Sequence, residues 1–241
     1  MGPGLSNRWA LAIVAVDNNS LEQLMKIALI GASGFVGTAV LAELLARGHH
    51  VTALVRDPAK LHPRPDVSPL ALDVNDVDAL AVALRGHDAV ISAFNPGWDV
   101  EGLYDKFMQG AAGINRAVEA SGVKRLLVVG GAGSLFVAPG VQVVDTPEFA
   151  SHVPPNVVPG AKAARDTLTA MRGNTALDWT FLSPAAMLAP GERTGKYRLG
   201  GEDLLLEDGK PAGISVADLA VAIVDEIEQP RHLRARFTVA R

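Results

Sequence analysis

From Lys26 onward, short apolar runs alternate with stretches whose apolar residues recur at helical spacing, the pattern of strands separated by amphipathic helices. Lys26–Ile30 is the first such run. After a glycine-rich turn, Val36, Val40, Leu41, Leu44 and Leu45 mark one helical face, which stops at Gly48. Val51–Val55 predicts a second strand, and beyond it Asp57 reads as an N-cap with Pro58 at the first helical position. A third strand includes Pro69–Leu72, a helix spans Asp76–Leu84 and stops at Gly86, and Ala89–Ser92 is a fourth strand. The stretch from about Tyr104 to Ala120 predicts a helix ending at Gly122, and Arg125–Val129 and Leu177–Leu182 read as a fifth and sixth strand.

Several of these strands are apolar throughout rather than alternating, as strands buried on both faces of a parallel sheet are. Their alternation with single helices predicts an α/β chain, a Rossmann doubly wound parallel sheet. Past Pro184 the regularity weakens: Gly191, Gly195, Gly200, Gly201 and Gly209 punctuate hairpin-like pieces, Ser215 caps a helix to about Glu228, and Arg236–Val239 offers a closing strand. We read residues 185–241 as a small C-terminal substrate-side lobe without a separate core, and 25–241 as a single domain. Because Met25 stands directly before the first strand, residues 1–24 read as a dispensable leader.

Composition narrows the function by exclusion. A chain with zero Cys has no disulfide, no thiolate metal site and no cysteine nucleophile, which fits the reducing cytoplasm we expect for it. With 22 Lys+Arg against 26 Asp+Glu, no basic run and 5% aromatic residues, it lacks the footprint of a nucleic-acid binder. No apolar stretch approaches the ~20 residues that span a bilayer. Trp9–Val16 follows a single Arg8 and lacks an Ala-x-Ala site, so neither a membrane segment nor a secretory signal is expected. The histidines show no metal-ligand spacing; His49 and His50 are adjacent and point apart if extended, and no metal is expected. The expected partner is a small molecule, for a monomer or a homodimer.

The candidate chemistry begins at Gly31-Ala32-Ser33-Gly34-Phe35-Val36-Gly37, with glycines spaced G-x-x-G-x-x-G between the first strand and the first helix. Such a turn needs positive φ, backbone that approaches a pyrophosphate without a Cβ in the way, and close packing of helix on strand. Free N–H groups at the helix start then hold phosphates. The alternative is a tight turn with no ligand, but the strand before it and the helix after it are the context of a dinucleotide site. Where NAD-specific folds carry an acidic residue at the end of the second strand, this chain has Arg56. A guanidinium there favours a 2′-phosphate, hence NADP, with NADPH preferred over NADH; otherwise Arg56 is a solvated turn residue and Asp57 serves the ribose or caps the helix.

GASGFVG and VRDPAKL in the first βαβ unit, with VVGGAGSLFVAPG at Val128 to Gly140, resemble the atypical short-chain dehydrogenase/reductase superfamily. Within it the chain is most similar to the NADH-flavin reductase group and to NAD(P)H-binding proteins related to biliverdin reductase B and the NmrA-like group. The resemblance runs from Met25 to Arg241 and takes in DWTFLSPA and GERTGKYRLGG. It implies that Asp73 and Val74 contact the adenine, that Ala93, Phe94 and Asn95 border the cofactor ribose, and that Pro184 and Ala185 face the carboxamide. It also implies that Ser134 lies beside the nicotinamide, our candidate catalytic residue. Alternatively, Asp73 caps the next helix, Ser134 satisfies a loop backbone, and Pro184 terminates a strand.

The departure from that family's pattern concerns Tyr-x-x-x-Lys, whose lysine lowers the phenol pKa so that it can move a proton. Tyr104 and Tyr197 are followed four positions later by Met108 and Gly201, so neither makes the motif. Val158-Pro159-Gly160-Ala161-Lys162 occupies the corresponding place, with Lys162 retained as a ribose contact. Hydride transfer to a flavin, a quinone or a linear tetrapyrrole needs mainly stacked, water-poor geometry, and its proton can come from solvent. The expectation is therefore an NADPH-dependent reductase of a flavin-like acceptor that is a substrate rather than a resident cofactor. Its pocket is bounded by the Asn95 to Asp99 loop, the Gly130 to Phe136 loop and the segment Val141 to Gly160, with Trp98 and Phe136 stacking on the acceptor or merely packing a loop. His152 reads as a solvated loop histidine, and Glu192 and Arg193 as a substrate contact or a salt bridge. A redox sensor of the NmrA-like kind, binding dinucleotide without turnover, is the alternative.

Overall fold

A computed structural model describes residues 24–62 and 64–241. The reading of residues 1–24 as a leader therefore falls almost wholly outside the described residues. The first half of the chain is β1 (Lys26–Ile30), α1 (Phe35–Ala46), β2 (His50–Val55), β3 (Val67–Ala71), α2 (Val77–Leu84), β4 (Ala89–Ser92), α3 (Leu103–Ser121) and β5 (Arg125–Val129). A hairpin of β6 (Phe136–Ala138) and β7 (Val141–Gln142), then a short α4 (Pro147–His152), leads to α5 (Val158–Met171) and β8 (Asp178–Pro184). Five short strands follow: β9 (Met187–Ala189), β10 (Arg198–Gly200), β11 (Leu206–Glu207), β12 (Lys210–Pro211) and β13 (Gly213–Ser215). Helix α6 (Val216–Glu228) and strand β14 (Ala235–Ala240) close the chain.

The central sheet has eight strands in the order β10-β14-β8-β5-β4-β1-β2-β3. All its pairings are parallel except that of β10 with β14. This is the Rossmann-like doubly wound sheet, and strand order reverses between β1 and β4, where such sheets open a crevice at their carboxyl ends.

Alternation along β1 shows how the two faces are filled. Ile27 and Leu29 meet α1 and α6 through Val40, Leu44, Leu219 and Ile223. Ala28 and Ile30 meet the other layer through Leu80, Ile114, Val118 and Leu168. Residues from the C-terminal stretch, among them Ile214, Leu219, Phe237 and Val239, join the first of these cores. Apolar burial on both faces supplies most of the stabilisation, at about 25 cal/mol per Å² of apolar surface.

The turn glycines act as expected: Gly48, Gly86 and Gly122 have φ of +83°, +76° and +85° and end their helices. Two local differences have simple causes. Asp57 does cap through the Ala59 amide, but it starts only a single 3-10 turn at Pro58–Lys60. The segment 141–160 is more ordered than a long loop. Thr146 caps α4, with Pro147 in its first turn, and α5 begins at Val158 despite Pro159 and Gly160, because a proline in a first turn gives up no helical hydrogen bond. No helix among the described residues is long and apolar enough to cross a membrane.

Candidate functional site

The glycine turn sits at the reversal point of the sheet. Gly31 has φ +80°, and a Cβ there would lie 2.6 Å from the Ala93 carbonyl oxygen at the end of β4. At Gly37 a Cβ would lie 2.0 Å from the Gly31 carbonyl oxygen, so the helix start presses directly on the turn. Gly34 is the N-cap of α1 and brings no side chain to cap it. Ser33 is half-buried and Gly34 and Phe35 are exposed, while Ala32 is buried. A glycine cradle below a helix start with no capping side chain suits the pyrophosphate of a dinucleotide.

Other residues on the nucleotide side occupy the strand ends. Arg56 follows β2, is exposed, and forms no ion pair among the described residues. Asp57 is occupied as a cap. Asp73 accepts from the backbone N–H and side-chain amide of Asn75, both at 2.9 Å, which makes a local turn, and Asp76, not Asp73, caps α2. Val74 is half-buried, and its carbonyl oxygen would lie 2.8 Å from a Cβ on Gly113 of α3. The Phe94 ring lies against Gly110 and 5.9 Å from the Phe107 ring. Asn95 accepts the Gly97 N–H at 2.7 Å.

On the opposite side, after β5, Ser134 meets the alternative reading of a hydroxyl that satisfies a loop backbone. Ser134 is 1% exposed. Its hydroxyl contacts the Gly131 carbonyl and Ser183 Oγ, both at 3.2 Å, and Arg236 Nη1 at 3.4 Å. Arg236 in turn donates to the Glu202 carboxylate, whose pKa burial would raise; Arg236 and Arg172 outweigh that and hold it below the ordinary value. Ser134 is thus joined to a buried polar network rather than brought to an open cleft. Pro184 and Ala185 are buried at the end of β8. Lys162 is exposed on the second turn of α5, one turn before Asp166.

Trp98 and Phe136 stand apart in their surroundings. Trp98 lies on Gly160, where a Cβ would be 2.8 Å from the indole. Phe136 instead lines an open pocket of about 450 Å³ with Val137, Ala138, Asp203 and Leu204, and no residue expected on the nucleotide side lines it.

Both tyrosines are committed elsewhere. Tyr104 donates to Asp166 at 2.8 Å, and that carboxylate raises the phenol pKa. Tyr197 donates to Asp225, and burial together with that carboxylate pushes its pKa up. Arg193 makes a two-pronged pair with Glu43, at 2.6 and 2.8 Å, while Thr194 and Gly195 bind Asp218. GERTGKY is therefore a structural clamp on α1 and α6. His49 is buried and bonded to Glu228 at 2.9 Å, whereas His50 is exposed; His152 ends α4 and contacts the Glu148 carbonyl.

Sequence reasoning gave no site role to Ser183 or Glu202, and named Arg236 only as part of the closing strand and Gly160 only as a pocket boundary and a member of the Val158 to Lys162 stretch. The signal for Arg236 was present in the alternation Arg236-Phe237-Thr238-Val239, which puts polar groups on one face of a buried strand.

The sequence matches the profile of the NAD(P)H-binding family over residues 31–230, beginning at the first glycine of the cradle. The chain belongs to this family. It is 41% identical over 218 residues to the uncharacterized protein YwnB of Bacillus subtilis, covering 89% of this chain and 98% of that one. Among solved structures it is similar to an epimerase candidate from Bacteroides thetaiotaomicron, with 44% identity and a TM-score of 0.83 over 90% of this chain and 97% of that one. It is also similar to an NADH-flavin reductase candidate from Streptococcus pneumoniae, with 34% identity and a TM-score of 0.74 over 90% and 99%. The NAD(P)H-binding family and its reductase neighbour place the chain in the general class of NAD(P)H-dependent oxidoreductases.

Proposed function

We propose that the protein is an NADPH-dependent reductase that passes hydride to a flavin-like, conjugated acceptor bound as a substrate. The observation that carries this reading is the pairing of a nucleotide cradle with the lack of a poised phenol: Tyr104 and Tyr197 both donate to carboxylates that make them weaker acids. A carbonyl or alcohol substrate would need such an acid, whereas a flavin takes its proton from water.

A bound reduced nicotinamide supplies the hydride. The chain's part is to hold and orient: the Gly31–Gly37 cradle takes the pyrophosphate, Arg56 faces the 2′-phosphate, and the backbone of Ala93 to Asn95 borders the ribose. Asp73 and Val74 border the adenine. Lys162 is assigned to the ribose hydroxyls, and Pro184 and Ala185 to the backing of the carboxamide. Ser134 serves as a positioning residue that fixes the turn after β5. A flavin acceptor would take up that two-electron hydride together with one proton from water. We assign the acceptor to the Trp98 side, where an apolar indole is available for stacking.

The preference for NADPH rests on Arg56, a free-standing cation among the described residues beside an already occupied Asp57.

The test is anaerobic bleaching of riboflavin by NADPH carrying deuterium or protium at the transferred position. Catalysed bleaching with a primary isotope effect on the reduction step is the expected result. Tight NADPH binding with no bleaching above background overturns the reductase reading in favour of a sensor.

A further inference from the structure

The segment 93–102 links β4 to α3, touching the glycine cradle at its start and α5 further on. It begins where the Ala93 carbonyl meets Gly31, and it carries positive φ at Gly97 (+117°) and Gly102 (+65°). Between those glycines two contacts tie it to the far side. Asn156 Nδ2 donates to Asp99 Oδ1 at 2.9 Å, and the Trp98 ring rests on Gly160. Gly160 lies inside α5, in the stretch that stands in for Tyr-x-x-x-Lys, two residues before Lys162. The helix has no local need for glycine there, since alanine is the better helix former by roughly 1 kcal/mol. The need is across the gap: a Cβ at 160 would stand 2.8 Å from Trp98 and 3.1 Å from Leu103 Cδ2. With that seat open, Trp98 is held by one part of its ring and is still 47% exposed.

We infer that Gly160 is a specificity-determining position, acting through Trp98: by carrying no side chain it seats the indole as a platform for a planar, multi-ring acceptor. This rests on the reductase reading above and adds the residue that selects the acceptor's shape. Gly160 is a positioning residue; Trp98 is the group that touches the acceptor. Adding a methyl group unseats the indole without touching the nucleotide cradle.

The experiment compares wild type, Gly160→Ala, Trp98→Ala and the double variant. Riboflavin binding is read by quenching of flavin emission with oxidised NADP present, so no turnover is required, and riboflavin reduction is measured in parallel. An offset-stacked ring pair is worth about 0.5–1.5 kcal/mol, so each single variant should raise the riboflavin Kd and KM by up to about tenfold. The expected NADPH Kd stays within about twofold, and the double variant adds no further loss, since both changes remove one contact. Acrylamide quenching of Trp98 emission, isolated by subtracting a Trp98→Phe spectrum, should increase in Gly160→Ala. If wild type reduces riboflavin but Gly160→Ala binds it as tightly as wild type, or the two losses add fully, the inference about Gly160 is overturned alone. If wild type neither binds nor reduces riboflavin, both the inference and the reductase reading are overturned.

Discussion

The carbonyl oxygen of Ala93 stands 2.6 Å from the position that a Cβ on Gly31 would occupy, so the end of β4 closes over the turn that leaves β1. That contact joins the two strands flanking the reversal point, and the φ of +80° at Gly31 makes it possible. Gly31→Ala therefore meets two penalties, backbone strain and a clash with backbone that cannot rotate away. We expect a loss of about 2 kcal/mol or more in chemical denaturation, with nucleotide binding reduced beyond what stability explains. A variant that binds NADPH like wild type would contradict the placement of the pyrophosphate.

Arg56 governs the choice between nucleotides. Losing a charge-assisted contact to a phosphate costs about 1.5–3 kcal/mol, so Arg56→Glu should raise the NADPH Kd at least tenfold. Its effect on NADH should be small. Titration of both nucleotides decides the matter, and an equal change in the two would remove the 2′-phosphate assignment.

The ion pair of the buried Glu43 carboxylate with the exposed Arg193 guanidinium gives acid sensitivity. Arg193, and then Arg47, hold the Glu43 carboxyl below its ordinary value of 4.5 against the opposing effect of burial. A lowered folded pKa stabilises the protein fully above the unfolded value, and the contribution vanishes as pH falls from 4.5 through the folded value. Glu43→Gln should lose about 1–3 kcal/mol near neutrality. Urea denaturation of both proteins should show that gap narrowing with acid; a gap that widens would reverse the sign.

Ser134 and Arg236 separate support from chemistry. The Arg236 side chain is fully buried and bonded to Glu202, which also has Arg172 and is 42% exposed. Arg236→Met should therefore cost about 2–3 kcal/mol, less than an isolated buried pair. Ser134→Ala should cost about 1 kcal/mol and leave kcat within a few-fold of wild type. A fall in kcat of about a hundredfold or more would make Ser134 a proton donor instead.

The strand pattern was legible because a parallel sheet covered on both faces demands uninterrupted apolar runs: Ala89–Ser92 and Arg125–Val129 have the bounds read from the sequence. Gly31 and Gly37 were legible for a similar reason, since backbone contact leaves no other residue available. The relation between Trp98 and Gly160 was not legible, because it joins a loop to a helix 62 positions away and has no local signature. Ser134 shows the opposite limit. Its place after the fifth strand leaves open a hydroxyl beside the nicotinamide or one that satisfies a loop backbone, and the contact with Arg236, 102 residues later in the chain, has no local signature.

The central claim is best tested by anaerobic initial rates of NADPH and NADH oxidation with riboflavin as acceptor. The account predicts catalysed oxidation of both, with NADPH the faster at equal concentration. Failure of the protein to bind either nucleotide, or binding without any acceleration of riboflavin reduction, would contradict it.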